Sequence, residues 1–160
     1  MSQLQTGSLQ QQPLKIGAYS GNFLICYEII FPELVRTLST NSQFLVVLTD
    51  SHWFRSIVAA AQLRQMTQMR ASELQKPALY IDNSGLSAKI SSQGALITEL
   101  DYQQIGALDT TLTPYTGHTP YQRYGITPWV ALLLLVLLIH RAMPQGIATV
   151  LSADNRSQPD

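Results

Sequence analysis

The sequence predicts an α/β domain followed by one C-terminal membrane helix, and three observations carry that expectation. Short apolar runs such as "FLVVLT" (44–49) have the β-branched make-up and length of buried strands. Between the early runs lie stretches with helical spacing, and the later runs flank turn residues as hairpins do. Near the end, "ITPWVALLLLVLLI" (126–139) carries no charged side chain.

The bulk composition narrows the classes. At 160 residues the chain is long enough for one domain with a sizeable core. Ten basic and ten acidic residues cancel, so nothing in the charge favours nucleic acid as a partner. Charged residues make up 12% of the chain, about half the usual share for a soluble domain, which points to a membrane or to a piece of something larger. Cys26 is the sole cysteine, so an intramolecular disulfide and a cysteine metal cluster are excluded. His52, His118 and His140 are far apart and lack ligand spacing.

Taken in order, "LKIGAY" and "GNFLICY" read as two strands turning at Ser20-Gly21-Asn22. Pro32 suits the first turn of a short helix over 32–38, ended by "STNS". A buried strand over 44–49 is followed by a loop with "DSHWF". A long helix over 56–75 places Ile57, Ala60, Leu63 (or Ala61), Met66 and Met69 in register, and Lys76-Pro77 stops it. "ALYIDN" is a further strand, "GLSAKI" and "ALITEL" form a hairpin with Gly94 in its turn, and "IGALDTTL" (105–112) is the last strand. "TPYTGHTPYQRYG" (113–125) reads as a loop.

With Tyr124 and Gly125 before it and "HRAM" after it, the uncharged run approaches the roughly 20 residues that cross a hydrocarbon core of about 30 Å. Tyr121, Tyr124 and Trp129 suit one interface, and Arg141 is able to snorkel at the other. A buried core helix is the competing reading, but 132–138 shows no polar stripe. Residues 1–12 have neither a basic region nor an apolar stretch, so they are not a secretory signal.

Cys26 falls where an apolar strand gives way to the proline-started helix, the sheet edge at which α/β folds bind ligands. A helix N-terminus nearby favours the thiolate, the reactive form. Glu28, two residues on, shares its face if the strand continues, as an orienting carboxylate. Against this, most lone cysteines only pack. His52, beside Trp53 and Phe54, reads as a loop residue rather than the partner in a Cys–His dyad.

"ICYEIIFPELVR", then "VVLTDSHWF", "QMTQMRASELQKP", "IDNSG", "SSQGALI", "TPYTGHTPYQRYG" and the apolar helix, in that order, resemble the C-terminal part of the apolipoprotein N-acyltransferase family. That family belongs to the carbon–nitrogen hydrolase (nitrilase) superfamily, and the likeness runs from about residue 8 to 143. The resemblance implies an αββα sandwich on the periplasmic side of the bacterial inner membrane. It also implies a Glu–Lys–Cys triad that takes an acyl chain from a phospholipid as a thioester and passes it to the N-terminal amine of a lipoprotein. On this mapping Cys26 is the nucleophile, Tyr27 and Glu28 shape the site, and Trp53 matches the aromatic of the following loop. No metal or organic cofactor is implied.

The triad's glutamate and lysine lie upstream of the matched region, and Lys15 matches only the lead-in to the cysteine strand. Asp50-Ser51 replaces the family's Asn-Asp, Arg55 a glycine, Gln62-Leu63 a Gln-His pair, and Tyr80 an arginine. The expected organisation is a loose N-terminus over 1–13, the C-terminal part of a catalytic domain over 14–113, a connecting loop over 114–125, a transmembrane helix over 126–143 and a cytoplasmic tail over 144–160. Such a partial αββα sandwich, without its remaining strands, is expected to be inactive and poorly folded alone, and to need an N-terminal half as partner. The alternatives are a membrane-anchored remnant in which Cys26 only packs, and a soluble nitrilase-like amidase, against which the apolar helix counts.

Overall fold

A computed structural model describes residues 11–54, 56–83 and 86–142. It divides into two compact units, 1–125 and 126–160. The first is built on a six-stranded mixed sheet in the order β1 (Leu14–Ile16), β2 (Tyr19–Ile25), β3 (Phe44–Thr49), β4 (Ala78–Asp82), β5 (Ala88–Ile90) and β6 (Leu96–Glu99). Strands β2, β3 and β4 are parallel; β1 adds antiparallel to β2 on one side, and the β5–β6 hairpin adds antiparallel to β4 on the other. Parallel neighbours need a crossover, and α1 (Pro32–Leu38) and α2 (Ile57–Leu74) supply the two. The short helix and the "FLVVLT" strand therefore form over the residues expected.

The first turn does not. It falls at Gly17-Ala18, with Ile16 paired to Tyr19, rather than at Ser20-Gly21-Asn22. Gly17 has φ of 60°, which glycine takes without cost. Gly21 and Asn22 instead lie within β2, paired to Phe44 and Leu45.

The core lies between the sheet and the two helices. Leu24, Leu45, Val47, Ala78, Tyr80, Ala88 and Ile90 face Val35 and Leu38 of α1 and Leu63, Ala71 and Leu74 of α2. The residues of α2 that are buried are Ala60, Leu63, Thr67, Arg70, Ala71 and Leu74, while Ile57 and Met69 are exposed. A strict three-residue register slips about 60° per step around an α-helix, so it leaves the buried face within two or three steps. The mixed three- and four-residue spacing from Ala60 stays on it. Gln75, with φ of 52°, caps the helix one residue before Lys76.

On the opposite face of the sheet, Ile25, Leu48 and Ile81 are register partners in one row and are 66%, 40% and 44% exposed. The architecture is thus one helical layer on one sheet, half of an αββα sandwich. The expected strand over 105–112 is irregular chain, and Ile105 is fully exposed. An apolar pattern makes a strand only where a neighbour takes up its backbone groups. Part of this segment, Gly106, Leu108 and Thr110, instead borders a cavity of about 260 Å³ with Leu79 and Ile81.

The expected loop over 113–125 contains a short helix, α3 (Pro120–Tyr124). Its cap was written in the sequence: the Thr119 hydroxyl accepts from Gln122 N–H at 3.0 Å, with Pro120 in the first turn. In the second unit, α4 (Thr127–Ala142) is apolar around its circumference and exposed throughout. Its length is about 24 Å by the helical rise, short of the hydrocarbon core. Among the described residues no helix is long and apolar enough to cross a membrane, which corrects the transmembrane expectation for 126–143. Met143, the tail over 144–160 and residues 1–10 of the N-terminus lie outside the described residues.

A buried polar seam ties three elements together at the end of α1. The Ser39 carbonyl accepts from Lys76 Nζ, from Gln122 Nε2 at 3.0 Å and from Ser42 Oγ at 3.0 Å. Asn22 Nδ2 donates to Ser39 Oγ at 2.9 Å. Burial of the ammonium lowers the Lys76 pKa from its ordinary 10.5 to about 8. Below pH 8 the folded and unfolded chains both carry this proton, and the fold bears the full cost of burying the charge. As pH rises from about 8 to 10.5, the folded lysine gives up its proton first and stability increases. Lys76→Met abolishes that contribution. Urea denaturation at a series of pH values is therefore predicted to show the stability difference between wild type and Lys76→Met shifting in favour of the wild type across this window.

Candidate active site

The site is assembled at the edge where the three parallel strands end. The β2 strand stops at Ile25, and Cys26 follows with φ of 52°, in the left-handed region. That conformation costs a residue with a Cβ about 1–2 kcal/mol. Side chains held this way cluster at functional sites, where the surrounding structure over-determines them. Here the over-determination comes from both sides. The β2–β3 register fixes Ile25 opposite Leu48, and a 3-10 turn over Cys26–Ile30 leads at once into α1, with Ile29 fully buried beneath it.

Glu28 is placed differently from the sequence expectation. Because the chain turns at Cys26, strand alternation ends there, and Glu28 does not share the cysteine's strand face. Its Oε2 instead accepts the N–H of Ile25 at 2.7 Å, closing the turn around the cysteine. Tyr27 meets Phe54 edge to face, with ring centroids 5.8 Å apart and planes at 70°. This contact joins the cysteine turn to the 3-10 turn over Ser51–Phe54 that follows β3. Trp53, in that turn, is 85% exposed, presenting an aromatic face outward rather than packing. The structure so brings Cys26, Tyr27 and Glu28 together, with Trp53 on the adjoining turn.

His52 is exposed and its N–H donates to Asp50 Oδ1 at 3.1 Å, as a loop residue's would. With Thr49, Asp82, Asn83 and Tyr102 it borders a cavity of about 600 Å³ at the strand ends.

Sequence reasoning missed three participants. Thr49, the last residue of β3, donates its hydroxyl to Cys26 Sγ at 3.6 Å. Asp82, its register partner on β4, is buried and receives the Ser51 N–H at 3.2 Å and the Ser51 hydroxyl at 2.6 Å. The Tyr80 hydroxyl lies 3.0 Å from Asp82 Oδ2 and 3.1 Å from the Ala60 carbonyl. Burial first, then the Asp82 charge and its hydrogen bond, raise the Tyr80 pKa well above the ordinary phenol value, so it remains a donor. Ser51 and Tyr80, two of the departures from the family pattern, therefore meet on one carboxylate. The available signal was the set of strand-terminal polar residues, Thr49 and Asp82, each closing an apolar run. Among the described residues no three His, Cys, Asp or Glu side chains are grouped to hold a metal.

With this arrangement in view, the comparisons assign a class. Residues 6–121 match the carbon-nitrogen hydrolase family, and the chain belongs to that family. It is similar to the apolipoprotein N-acyltransferase of Coxiella burnetii, 36% identical over 139 residues that make up 87% of this chain and 29% of that protein. It is 37% identical over 148 residues to the apolipoprotein N-acyltransferase of Haemophilus influenzae, covering 89% of this chain and 28% of that protein. The chain thus spans under a third of the length of these relatives. In fold alone it is similar to a crystal structure of a carbon-nitrogen hydrolase from Helicobacter pylori G27, with TM-score 0.52, 10% identity, and coverage of 62% of this chain and 42% of that one.

Asp82→Ala leaves the Ser51 hydroxyl and the Tyr80 hydroxyl facing an emptied buried position. From the strength of hydrogen bonds to charged groups, the expected loss is about 3 kcal/mol, read from urea denaturation. Glu28→Ala, at a partly exposed single bond, is expected to cost about 1 kcal/mol. Equal costs for the two would contradict the burial difference between them.

Proposed function

We propose that this chain is the C-terminal portion of a membrane apolipoprotein N-acyltransferase, in which Cys26 carries the acyl group as a thioester. The acceptor is the N-terminal amine of a lipoprotein, in keeping with the names of the relatives, and the donor is a phospholipid, as the resemblance implies. The observation that carries the reading is Cys26 itself: the only thiol, held in a left-handed turn at the end of the β2 strand with its side chain partly exposed.

The chemistry suits the geometry. The thiol attacks the ester carbonyl, the carbon–sulfur bond forms as the ester carbon–oxygen bond breaks, and the leaving oxygen departs as an alcohol with the thiol's proton. The lipoprotein amine then attacks the thioester, an amide forms, and the thiol is regenerated. Glu28 closes the turn that presents the sulfur, and Tyr27 braces it through Phe54. Trp53, exposed on the adjoining turn, provides apolar surface for an acyl chain.

The glutamate and lysine that complete the family's chemistry come, on this reading, from the portion of the enzyme that this chain does not span. That portion also covers the open row Ile25–Leu48–Ile81. The chain alone is inactive for the same reason. Membrane attachment is supported by α4, whose exposed Leu132 to Ile139 surface has no polar side and is matched by lipid as a solvent. The catalytic part then faces the periplasm of a bacterial inner membrane.

Intact-mass spectrometry of the chain in phospholipid vesicles, with and without an N-terminal portion from a relative, tests this. A hydroxylamine-sensitive acyl adduct on Cys26 is expected only with the added portion. An adduct on the chain alone overturns the inactivity. None under either condition favours a non-catalytic remnant.

A further inference from the structure

Among the described residues a polar side chain, that of Thr49, is hydrogen-bonded to the Cys26 sulfur, and neither the resemblance nor the comparisons assign it a role. We propose that Thr49 is a further catalytic residue of this site, its hydroxyl donating to the Cys26 sulfur so as to hold negative charge there when the acyl group is accepted and released. The proposal rests on the reading of Cys26 as the acyl-carrying nucleophile.

Three features hold the Thr49 backbone in place. The β2–β3 register pairs Ile25 with Leu48, so Thr49, the next residue on β3, lies at the edge beside the turn that Cys26 begins. Thr49 is also paired with Asp82 of β4, and its carbonyl accepts the Asn83 N–H at 3.1 Å, so its backbone is held from the other side as well. Two residues on, Asp82 grips Ser51 through both its N–H and its hydroxyl, which stops the chain from swinging away beyond the strand. A β-branched side chain on a backbone held this firmly has few rotamers open to it. At 3.6 Å the oxygen–sulfur distance is that of a hydrogen bond to the larger sulfur atom.

The chemistry needs such a donor. The sulfur must bear charge twice: as it attacks the ester, and as it leaves when the amine displaces it. A hydrogen bond to the charged form favours that form, and a hydroxyl that is only partly exposed gives this stabilisation without full competition from water. The Thr49 proton stays on oxygen throughout, so the proton balance of the two half-reactions is unchanged. The left-handed turn presents the sulfur, and the threonine hydroxyl is aimed at it.

Because Cys26 is the sole cysteine, the test needs no acyl transfer. The full chain is alkylated with iodoacetamide at neutral pH, and the rate is read by intact mass relative to the same chain unfolded in urea. Thr49→Val removes the hydroxyl at nearly constant shape, and Thr49→Ser restores it. Loss of one hydrogen bond predicts about a fivefold slower rate for Thr49→Val, with Thr49→Ser within about twofold of wild type. Thr49→Ala, with far-ultraviolet circular dichroism to establish folding, is expected to match Thr49→Val and guards against a valine-specific packing effect. A wild-type rate in Thr49→Val and Thr49→Ala overturns the proposal. So does a slow rate in Thr49→Ser, which would assign the effect to packing. Failure of acyl transfer in vesicles leaves these rates untouched, so the two readings fail separately.

Discussion

The parallel register of β2, β3 and β4 is the constraint on which the rest of the molecule depends. It sets Ile25 level with Leu48 and Leu48 level with Ile81, and one residue further on it sets Thr49 level with Asp82. Because side chains alternate with a period of two, a slip of one residue in either pairing would exchange the two faces of the sheet. Leu24, Val47 and Tyr80 would leave the helices, and Thr49 would leave the sulfur. Packing and chemistry are thus secured by the same backbone ladder.

The two faces of the sheet are finished to different degrees. On the helical side the apolar cluster is closed, and a polar seam runs along it, where Ser39 gathers Lys76, Gln122, Ser42 and Asn22 around one helix end. On the other side, apolar residues of β2, β3 and β4 meet open space. A sheet whose faces are both apolar is the pattern of a layered α/β protein with material on each side. The strand sequences themselves say this, since "FLVVLT" does not alternate between apolar and polar.

Much of this was legible in the sequence, and what was not has a physical reason. Elements decided by strong local signals came through: Pro32 at the start of α1, the β-branched run of β3, and Gly94, whose φ of 82° and close approach to the Gln68 carbonyl admit no side chain. Elements decided by partners did not. The 105–112 segment has strand composition and no neighbour to pair with, and the α2 stripe was read with a spacing that drifts off its face. Cys26 stood out because it is the only cysteine and sits at a boundary. Thr49 and Asp82 each close an apolar run, but their tie to the site passes through register: Thr49 reaches the sulfur, and Asp82 is paired with Thr49. Glu28 was noticed for the right neighbourhood, but its role as a turn-closing acceptor depended on where the strand stopped.

The sheet's outer strands have a consequence for how the molecule behaves among its own copies. The edges are β1, of three residues, and β6, of four, and each is the outer arm of a hairpin rather than a long flat strand. Pro13 precedes the first edge and Lys15 sits at its centre, while Glu99 closes the second. Short strands interrupted by proline and charge are poor templates for a further strand. Contact between copies of this chain would therefore draw on its exposed apolar surface, the open sheet face and α4 among it, and be governed by how much area is covered, not by backbone pairing that extends without limit. Crowding would give soft, reversible clusters in preference to fibres.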